Sequence, residues 1–442
     1  MSNSWKRARL GDLVTHQKGF AFKSSTYTTS GRPIVRVSDF TKDSIDLSSC
    51  AHVADDLAVE FDSYRLQHFD VLIATVGSWP TNPESVVGKT VGVPANATGA
   101  LLNQNAVRLR SRSNLNQRFL YYLLKDASFG AYIVNTAQGS ANQASITLKD
   151  VFGFEFALPP REEQDAIVAV LGALDDKIAQ NHRTGRKLEA LARATFKAWF
   201  VDFEPVKAKA AGATAFPGMP PETFAALPTR FEDSELGPVP QEWDVRTMDN
   251  IGTQRREQIA PEDTDGETPY IGLEHMPRRD IALSDWGTAA SVTSSKFRFR
   301  RGDILFGKLR PYFHKVGRAA IDGMCSTDIV VLHPKKPESA AWLLMLVSSD
   351  EFVAHTDRSS AGTKMPRTNW KDMAAFKTTL PPSQVVLAFQ EQVGSMLDLI
   401  TASIHESRRL ATLRDYLLPR LLSGRVRVTG VDDRLPAAET AS

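Results

Sequence analysis

Cysteine is almost missing from this chain of 442 residues: Cys50 and Cys325 are the only two, and they stand far apart. That excludes a disulfide framework and a site built from several thiolates, and it fits a reducing cytoplasm. Long apolar runs are missing as well. The start, Met1-Ser-Asn-Ser-Trp-Lys-Arg7, has no apolar core of leader-peptide length, and no later run approaches the ~20 residues of a membrane span. No membrane partner is expected. A strong charge of one sign is also absent, with 53 Lys and Arg against 51 Asp and Glu. A net charge of +2 neither demands nor excludes nucleic acid, because binding depends on where the basic groups sit. They do cluster, at Arg108, Arg110, Arg112 and Arg118, and again at Arg298, Arg300, Arg301, Lys308, Arg310, Lys315 and Arg318. Each cluster reads equally well as a solvated strand or loop surface.

What is present is a sequence written twice. Leu158-Pro159-Pro160 recurs as Leu380-Pro381-Pro382, and Lys149-Asp150 recurs at the same offset as Lys371-Asp372. Upstream the offset grows by one residue: Phe119 answers Trp342, Phe129 answers Phe352, and Gly139 answers Gly362. Further back, Phe69-Asp70-Val71-Leu72 answers Gly302-Asp303-Ile304-Leu305, and Trp5 answers Trp243. An ordered series with a slowly drifting offset is the mark of a tandem duplication. Each copy holds short β-like runs between Gly, Pro, Asn and Ser turns, such as Asp70–Thr75 and Asp303–Phe306. A shorter helical segment follows, then a Pro-Pro stop and a long helix.

The long helices align in register. Ile167, Leu171, Leu174 and Ile178 step by helical spacing, and Leu188 and Leu191 resume the stripe. Phe389, Val393, Met396, Ile400, Leu410 and Leu413 stand at the same places in the second copy. One apolar seam over about six heptads is the pattern of a coiled coil, and a helix of ~40 residues is roughly 60 Å long. Both seams are interrupted, at Asn181 and Gly185 and at Ser403 and Ser407, which points to a close crossing of the two helices. Two similar modules on two long helices give an approximate two-fold object from one chain. Duplex DNA has its own pseudo-dyad, and proteins that read it often carry a matching one. Modules that differ in sequence imply an asymmetric, split target.

Local motifs sharpen this. Phe200-Val-Asp-Phe-Glu-Pro-Val-Lys207 and Ser234-Glu-Leu-Gly-Pro-Val-Pro-Gln-Glu-Trp243 resemble the junction between modules in specificity subunits of type I restriction-modification enzymes. Gly302-Asp-Ile-Leu-Phe-Gly-Lys-Leu-Arg-Pro-Tyr312 resembles a strand and loop of their target recognition domains. Leu158-Pro-Pro-Arg-Glu-Glu-Gln164, after Gly139 and Ile146-Thr-Leu-Lys-Asp150, resembles the start of their conserved helices. The second copy departs from this, reading Leu380-Pro-Pro-Ser-Gln-Val-Val386 without the Glu-Gln pair.

The resemblance covers residues 1 to 425 and implies a mixed α/β (α+β) fold: two tandem target recognition domains separated by two long antiparallel coiled-coil helices, with pseudo-two-fold symmetry. The boundaries read as recognition domains over 1–158 and 241–380, long spacer helices over 159–201 and 381–425, an Ala/Pro-rich linker over 202–240, and a loose tail over 426–442. The partners implied are double-stranded DNA, two modification subunits that methylate adenine, and restriction subunits that translocate and cleave DNA. S-adenosylmethionine, ATP and Mg would then sit on those partners, with no cofactor in this chain. Two alternatives stay open: the specificity component of a methyltransferase-only or related system, and a scaffold that binds proteins through its helices.

The residues agree with a chain that lacks chemistry of its own. An adenine methyltransferase needs Asn/Asp-Pro-Pro-aromatic, and Asn82-Pro83-Glu84 lacks both the second Pro and the aromatic. A phosphate-cradling loop needs Gly where Pro83 precedes Gly88-Lys89-Thr90. No catalytic residue and no metal ligand is expected, and His68 and His314 read as structural or DNA-facing.

Base reading uses Arg for guanine and Asn or Gln for adenine, while Lys, Arg and small hydroxyls serve phosphate. The DNA-binding candidates sit in loops at equivalent places. They are Thr75, Ser78, Trp79, Asn82, Lys89, Gln138, Ser140, Asn142 and Gln143 in the first copy. In the second they are Lys308, Arg310, Tyr312, His314, Lys315, Thr363, Lys364 and Arg367. The first module is expected to read more through amides and the second more through guanidinium and ammonium groups.

Overall fold

The computed structural model describes residues 5–79, 87–140, 143–360, 362 and 365–428. The chain divides into two compact units, Met1–Asp176 with Leu410–Ser442, and Lys177–Arg409. Each is a mixed α/β body containing several small sheets.

In the first unit an antiparallel sheet runs in the order Val14–Lys18, Ala106–Ser111, Val71–Ala74, Thr90–Gly92. The strand Val71–Ala74 is apolar at every position because both its faces are covered. Val71 and Ile73 enter one core with Phe119, Leu120 and Ile167, while Leu72 and Ala74 enter another with Val35 and Leu66. That alternation is the strand's period of two.

The second unit repeats the construction. Its sheet runs Gly252–Arg255, Ile329–Pro334, Ile304–Gly307, Val316–Arg318, and Ile304 and Phe306 face one core while Leu305 faces another. In each unit the opening strand pairs with the one before the long helix: Lys6–Arg9 with Glu155–Leu158, and Asp244–Thr247 with Lys377–Leu380.

The turn into the central strand is also repeated. Phe69 takes φ 67 in the first unit, where the second has Gly302 at φ 90. The buried carboxylate that follows accepts a backbone N–H in both, Gln67 N to Asp70 at 2.7 Å and Arg300 N to Asp303 at 2.8 Å. The arginine paired with it differs in origin. Arg110, from the neighbouring strand, holds Asp70 at 2.6 and 2.8 Å, whereas Arg255, two strands away, holds Asp303 at 3.0 Å.

The missing Glu-Gln pair has a structural answer. Trp5 donates its indole N–H to Glu163 at 2.9 Å. Gln164, 1% exposed, accepts the N–H of Asn116 at 2.9 Å and donates to the carbonyls of Asn114 and Pro159. In the second unit Val385 and Val386 stand in their places, and both are buried. The Trp243 indole N–H is buried with no hydrogen-bond partner among the described residues. The short helix is capped instead from one turn further along, where Gln390 accepts the N–H of Ala341 at 2.8 Å. Gln164→Leu strands three backbone groups in the first unit and is expected to lower its stability by about 2 kcal/mol or more, read as a drop in its thermal midpoint.

The region expected as a linker is folded. Helices Glu204–Ala210 and Pro221–Ala226 and the hairpin Phe231–Ser234/Gly237–Pro240 occupy it. Val206, Met219, Phe224 and Leu227 are buried in the second unit's core, anchoring a segment that Ala and Pro composition presents as a connection.

The long helices are Arg161–Phe196, continued by a π-helical turn over Lys197–Val201, and Ser383–Leu422. Within the first unit Glu163 meets Arg427 at 3.7 Å and Asp175 meets Arg414 at 2.8 Å. Within the second, Asn181 meets Ser407 at 3.2 Å and Phe196 meets Phe389 at 6.1 Å between ring centres. In each unit the contacts run in opposite directions along the two chain segments, Arg427 lying just past the end of the second helix.

Ile167, Leu171, Phe389, Val393 and Ile400 are buried, and Leu174, Ile178, Leu188, Met396 and Leu410 are half-buried. Leu191 and Leu413 are corrections: they are 50% and 45% exposed and lie off the packed face. The reason is that polar side chains take the inward positions nearby. Glu189, Asn181, Ser407 and Arg414 are all under 9% exposed, so the packed face is not one apolar seam. The close crossing expected at Gly185 is a second correction. A side chain there would meet nothing within 4 Å, and the interruption at Asn181 is instead a hydrogen-bonded contact to Glu406 and Ser407.

Candidate nucleic-acid interface

In the first unit the candidates converge on a three-stranded sheet, Gln138–Ser140, Gln143–Ser145 and Val76–Gly77. The pairing of Ala144 with Gly77 and Ser145 with Val76 brings the Thr75–Trp79 segment beside the hairpin. Gly139 is required there, since a Cβ on it would sit 2.0 Å from the Gln143 carbonyl oxygen. Trp79 lies across the hairpin and donates its indole N–H to the Ser140 carbonyl at 2.8 Å. Gln138, Ser140 and Gln143 are exposed, with Thr75, Ser78 and Trp79 half-buried beside them. Lys89 turns inward and donates to the Phe40 carbonyl at 3.1 Å. Asn82 and Asn142 lie outside the described residues.

The second unit pins its loop in the same way. Leu309 pairs with Arg367, Arg310 N donates to the Pro366 carbonyl at 2.7 Å, and Thr368 N to the Lys308 carbonyl at 3.0 Å. Lys308, Arg310, Tyr312 and Arg367 are thereby gathered on one surface, with Tyr312 50% exposed and Arg367 held by Asp328 at 3.1 Å. Thr363 and Lys364 lie outside the described residues. Lys315 is directed inward and donates to the Leu273 carbonyl at 2.5 Å.

His314 is a correction to the DNA-facing reading. It is 4% exposed, and its Nε2–H donates to the Ser348 carbonyl at 2.9 Å. Burial pushes its pKa below the ordinary value, so the ring is neutral near pH 7. It joins a chain of contacts that reaches the long helix. Arg193 donates to the same Ser348 carbonyl at 2.7 Å, and Glu189 holds Arg193 while accepting the Ile281 N–H at 3.2 Å. His314 and Arg310 both take left-handed backbone, φ 52 each, and bracket the turn that presents Tyr312. Asn tolerates that backbone better than other non-glycine residues. His314→Asn is therefore expected to keep the turn better than His314→Ala does, read as the smaller drop in the second unit's thermal midpoint.

The sequence carries no motif for the Arg193–Ser348–His314 chain, whose members lie up to 155 residues apart. It also passed over Arg278, which rests on Phe313 beside this loop. An arginine pair such as Arg278-Arg279 next to a turn was the only available signal.

Among the described residues no group of three or more His, Cys, Asp or Glu is placed to hold a metal ion, and no helix is long and apolar enough to cross a membrane. Cys50 and Cys325 are buried free thiols, and burial pushes Cys50 up to about 12.

Residues 2–190 match the family described as type I restriction modification DNA specificity domain. The specificity subunit of the type I restriction enzyme HindI from Haemophilus influenzae is 24% identical over 354 residues, 70% of this chain and 77% of that one. That of MjaIX from Methanocaldococcus jannaschii is 24% identical over 341 residues, 74% and 73% of the two chains. A crystal structure of the S subunit from M. genitalium covers 95% of this chain and 97% of its own at 15% identity, with a TM-score of 0.48. The first part of the chain thus matches the specificity-domain family, and over about 70% of its length the chain is similar to specificity subunits of type I restriction enzymes.

Proposed function

We propose that this chain is a specificity subunit of a type I restriction-modification system, that it recognises a bipartite, asymmetric DNA target, one half with each unit, and that it carries the methyltransferase and restriction subunits on its long helices. The observation that carries the reading is the repetition of one reading device. A loop leaves the end of a doubly covered strand and is pinned by the segment after Gly139 in one unit and after Gly362 in the other. Similar devices bearing different side chains suit different half-sites. The first offers amides from Gln138 and Gln143, and the second offers guanidinium groups and Lys308.

This reading takes residues 1–158 and 241–380 as the two recognition domains and the antiparallel helices as a coiled-coil spacer for the two half-sites. Two linked readers gain effective concentration, so each is adequate with modest affinity. The chain is a recognition subunit and not an enzyme. It works in the cytoplasm and holds no cofactor, S-adenosylmethionine, ATP and Mg being used by the partners.

Selection of bound duplexes by the chain assembled with its modification subunits tests this. Two short motifs at a fixed separation are the expected result. One continuous motif, or no preference, overturns it and favours a protein scaffold.

A further inference from the structure

Arginines around the second unit's loop fall into two groups. Arg279 is paired with Asp350 at 2.7 Å, Arg318 with Asp398 at 3.0 Å, and Arg367 with Asp328 at 3.1 Å. Those charges are spent within the protein. Arg278 and Arg310 are different. Arg278 is exposed, and its guanidinium carbon lies 4.1 Å from the centre of the Phe313 ring. Arg310 approaches the same ring at 5.8 Å, and its Nε is buried with no hydrogen-bond partner among the described residues. Neither guanidinium has a carboxylate partner among those residues. Tyr312 packs edge-on against Phe313 and is half exposed at the tip of the turn.

We infer that Arg278, seated on Phe313 beside Arg310, reads a guanine in the half-site bound by the second unit. This inference rests on the reading given under Proposed function. Stacking occupies the π-face of a guanidinium and leaves the fork of in-plane N–H donors free. A fork already held over a ring is positioned for two acceptors lying in one plane, which guanine presents in the major groove as N7 and O6. A phosphate needs positive charge but not a fixed plane, and Lys308 on the same loop serves that purpose. The loop itself is fixed by Arg310 N on Pro366, by Thr368 N on Lys308, and by the buried His314, so the ring that carries Arg278 is fixed in turn.

The test compares the wild-type complex with complexes of Arg278→Ala, Arg278→Lys and Phe313→Leu, profiling bound sequences position by position. The inference predicts that Arg278→Ala loses discrimination about tenfold or more at one guanine of one half-site and leaves the other half-site unchanged. Arg278→Lys does not restore it, because lysine lacks the fork, and Phe313→Leu gives a smaller loss at the same position. An unchanged profile overturns the inference, as does uniform weakening across all sequences that lysine rescues, which marks a phosphate contact. A wild-type complex with no split preference refutes the underlying reading instead, so the two failures are distinguishable.

Discussion

Replacing Arg414 with methionine is expected to destabilise the first unit by about 3–5 kcal/mol, the largest effect of any single substitution considered for folding. Arg414 is 7% exposed and is held by Asp175 at 2.8 Å, Asp43 at 3.2 Å and Asp415 at 2.7 Å. Tyr122 donates its hydroxyl to the same Asp175 at 2.7 Å. Removing the guanidinium leaves the partly buried Asp175 without an ion-pair partner among the described residues and Asp43 with Lys125 alone, and that penalty exceeds what the pairs contribute when intact. Arg414→Lys keeps a charge but loses the fork that spans three carboxylates, and is expected to fall between the two. Calorimetric or fluorescence-monitored melting of the three proteins checks the order.

The same cluster sets an acid limit. Burial raises the Asp43 carboxyl, but Lys125 and Arg414 outweigh it and hold the group below its ordinary value. A depressed carboxylate contributes stability in full above the unfolded-state value near pH ~4 and loses it as pH falls through the folded value. Acid unfolding of the first unit below about pH 4 should therefore be shallower in the Arg414→Met protein, which has already lost much of that contribution.

Substituting Gln138 and Gln143 together by alanine is expected to erase preference at one or two positions of one half-site, by roughly 10- to 100-fold in discrimination, while the other half-site stays intact. Both amides are exposed on the hairpin that Trp79 clasps through the Ser140 carbonyl. Trp79→Phe keeps the ring and removes that hydrogen bond. It should broaden the same half-site less than the double substitution does, because the hairpin keeps its pairing to Val76–Gly77. Loss of preference in both half-sites at once would count against separate readers.

Much of the architecture was legible because duplication converts a weak local signal into a paired one. The strands Val71–Ala74 and Ile304–Gly307, the carboxylates Asp70 and Asp303, and the start of each long helix were all visible as echoes of one another. The departure at Val385-Val386 was visible too, although its resolution by Gln390 was not, since a cap moved by one helical turn leaves no motif.

What stayed hidden depends on contacts between distant residues. Arg414 reads as one more charge on a helix, and its partners Asp175 and Asp43 lie 239 and 371 residues away. Leu191 and Leu413 satisfy a helical stripe on paper but face outward, because spacing alone does not reveal that Glu189 and Arg414 turn in. His314 and Lys315 fit a basic loop in composition. Burial of the first and the Leu273 carbonyl bonded by the second remove both from the surface that DNA would meet.

The most direct test of a two-reader subunit is the N6-methyladenine map of DNA from cells that express this chain with its modification subunit, against cells with the modification subunit alone. A new mark at one split, asymmetric sequence, present only with this chain, is the predicted result. No new mark from an assembled and active methyltransferase, or a mark at an unbroken motif, would contradict it.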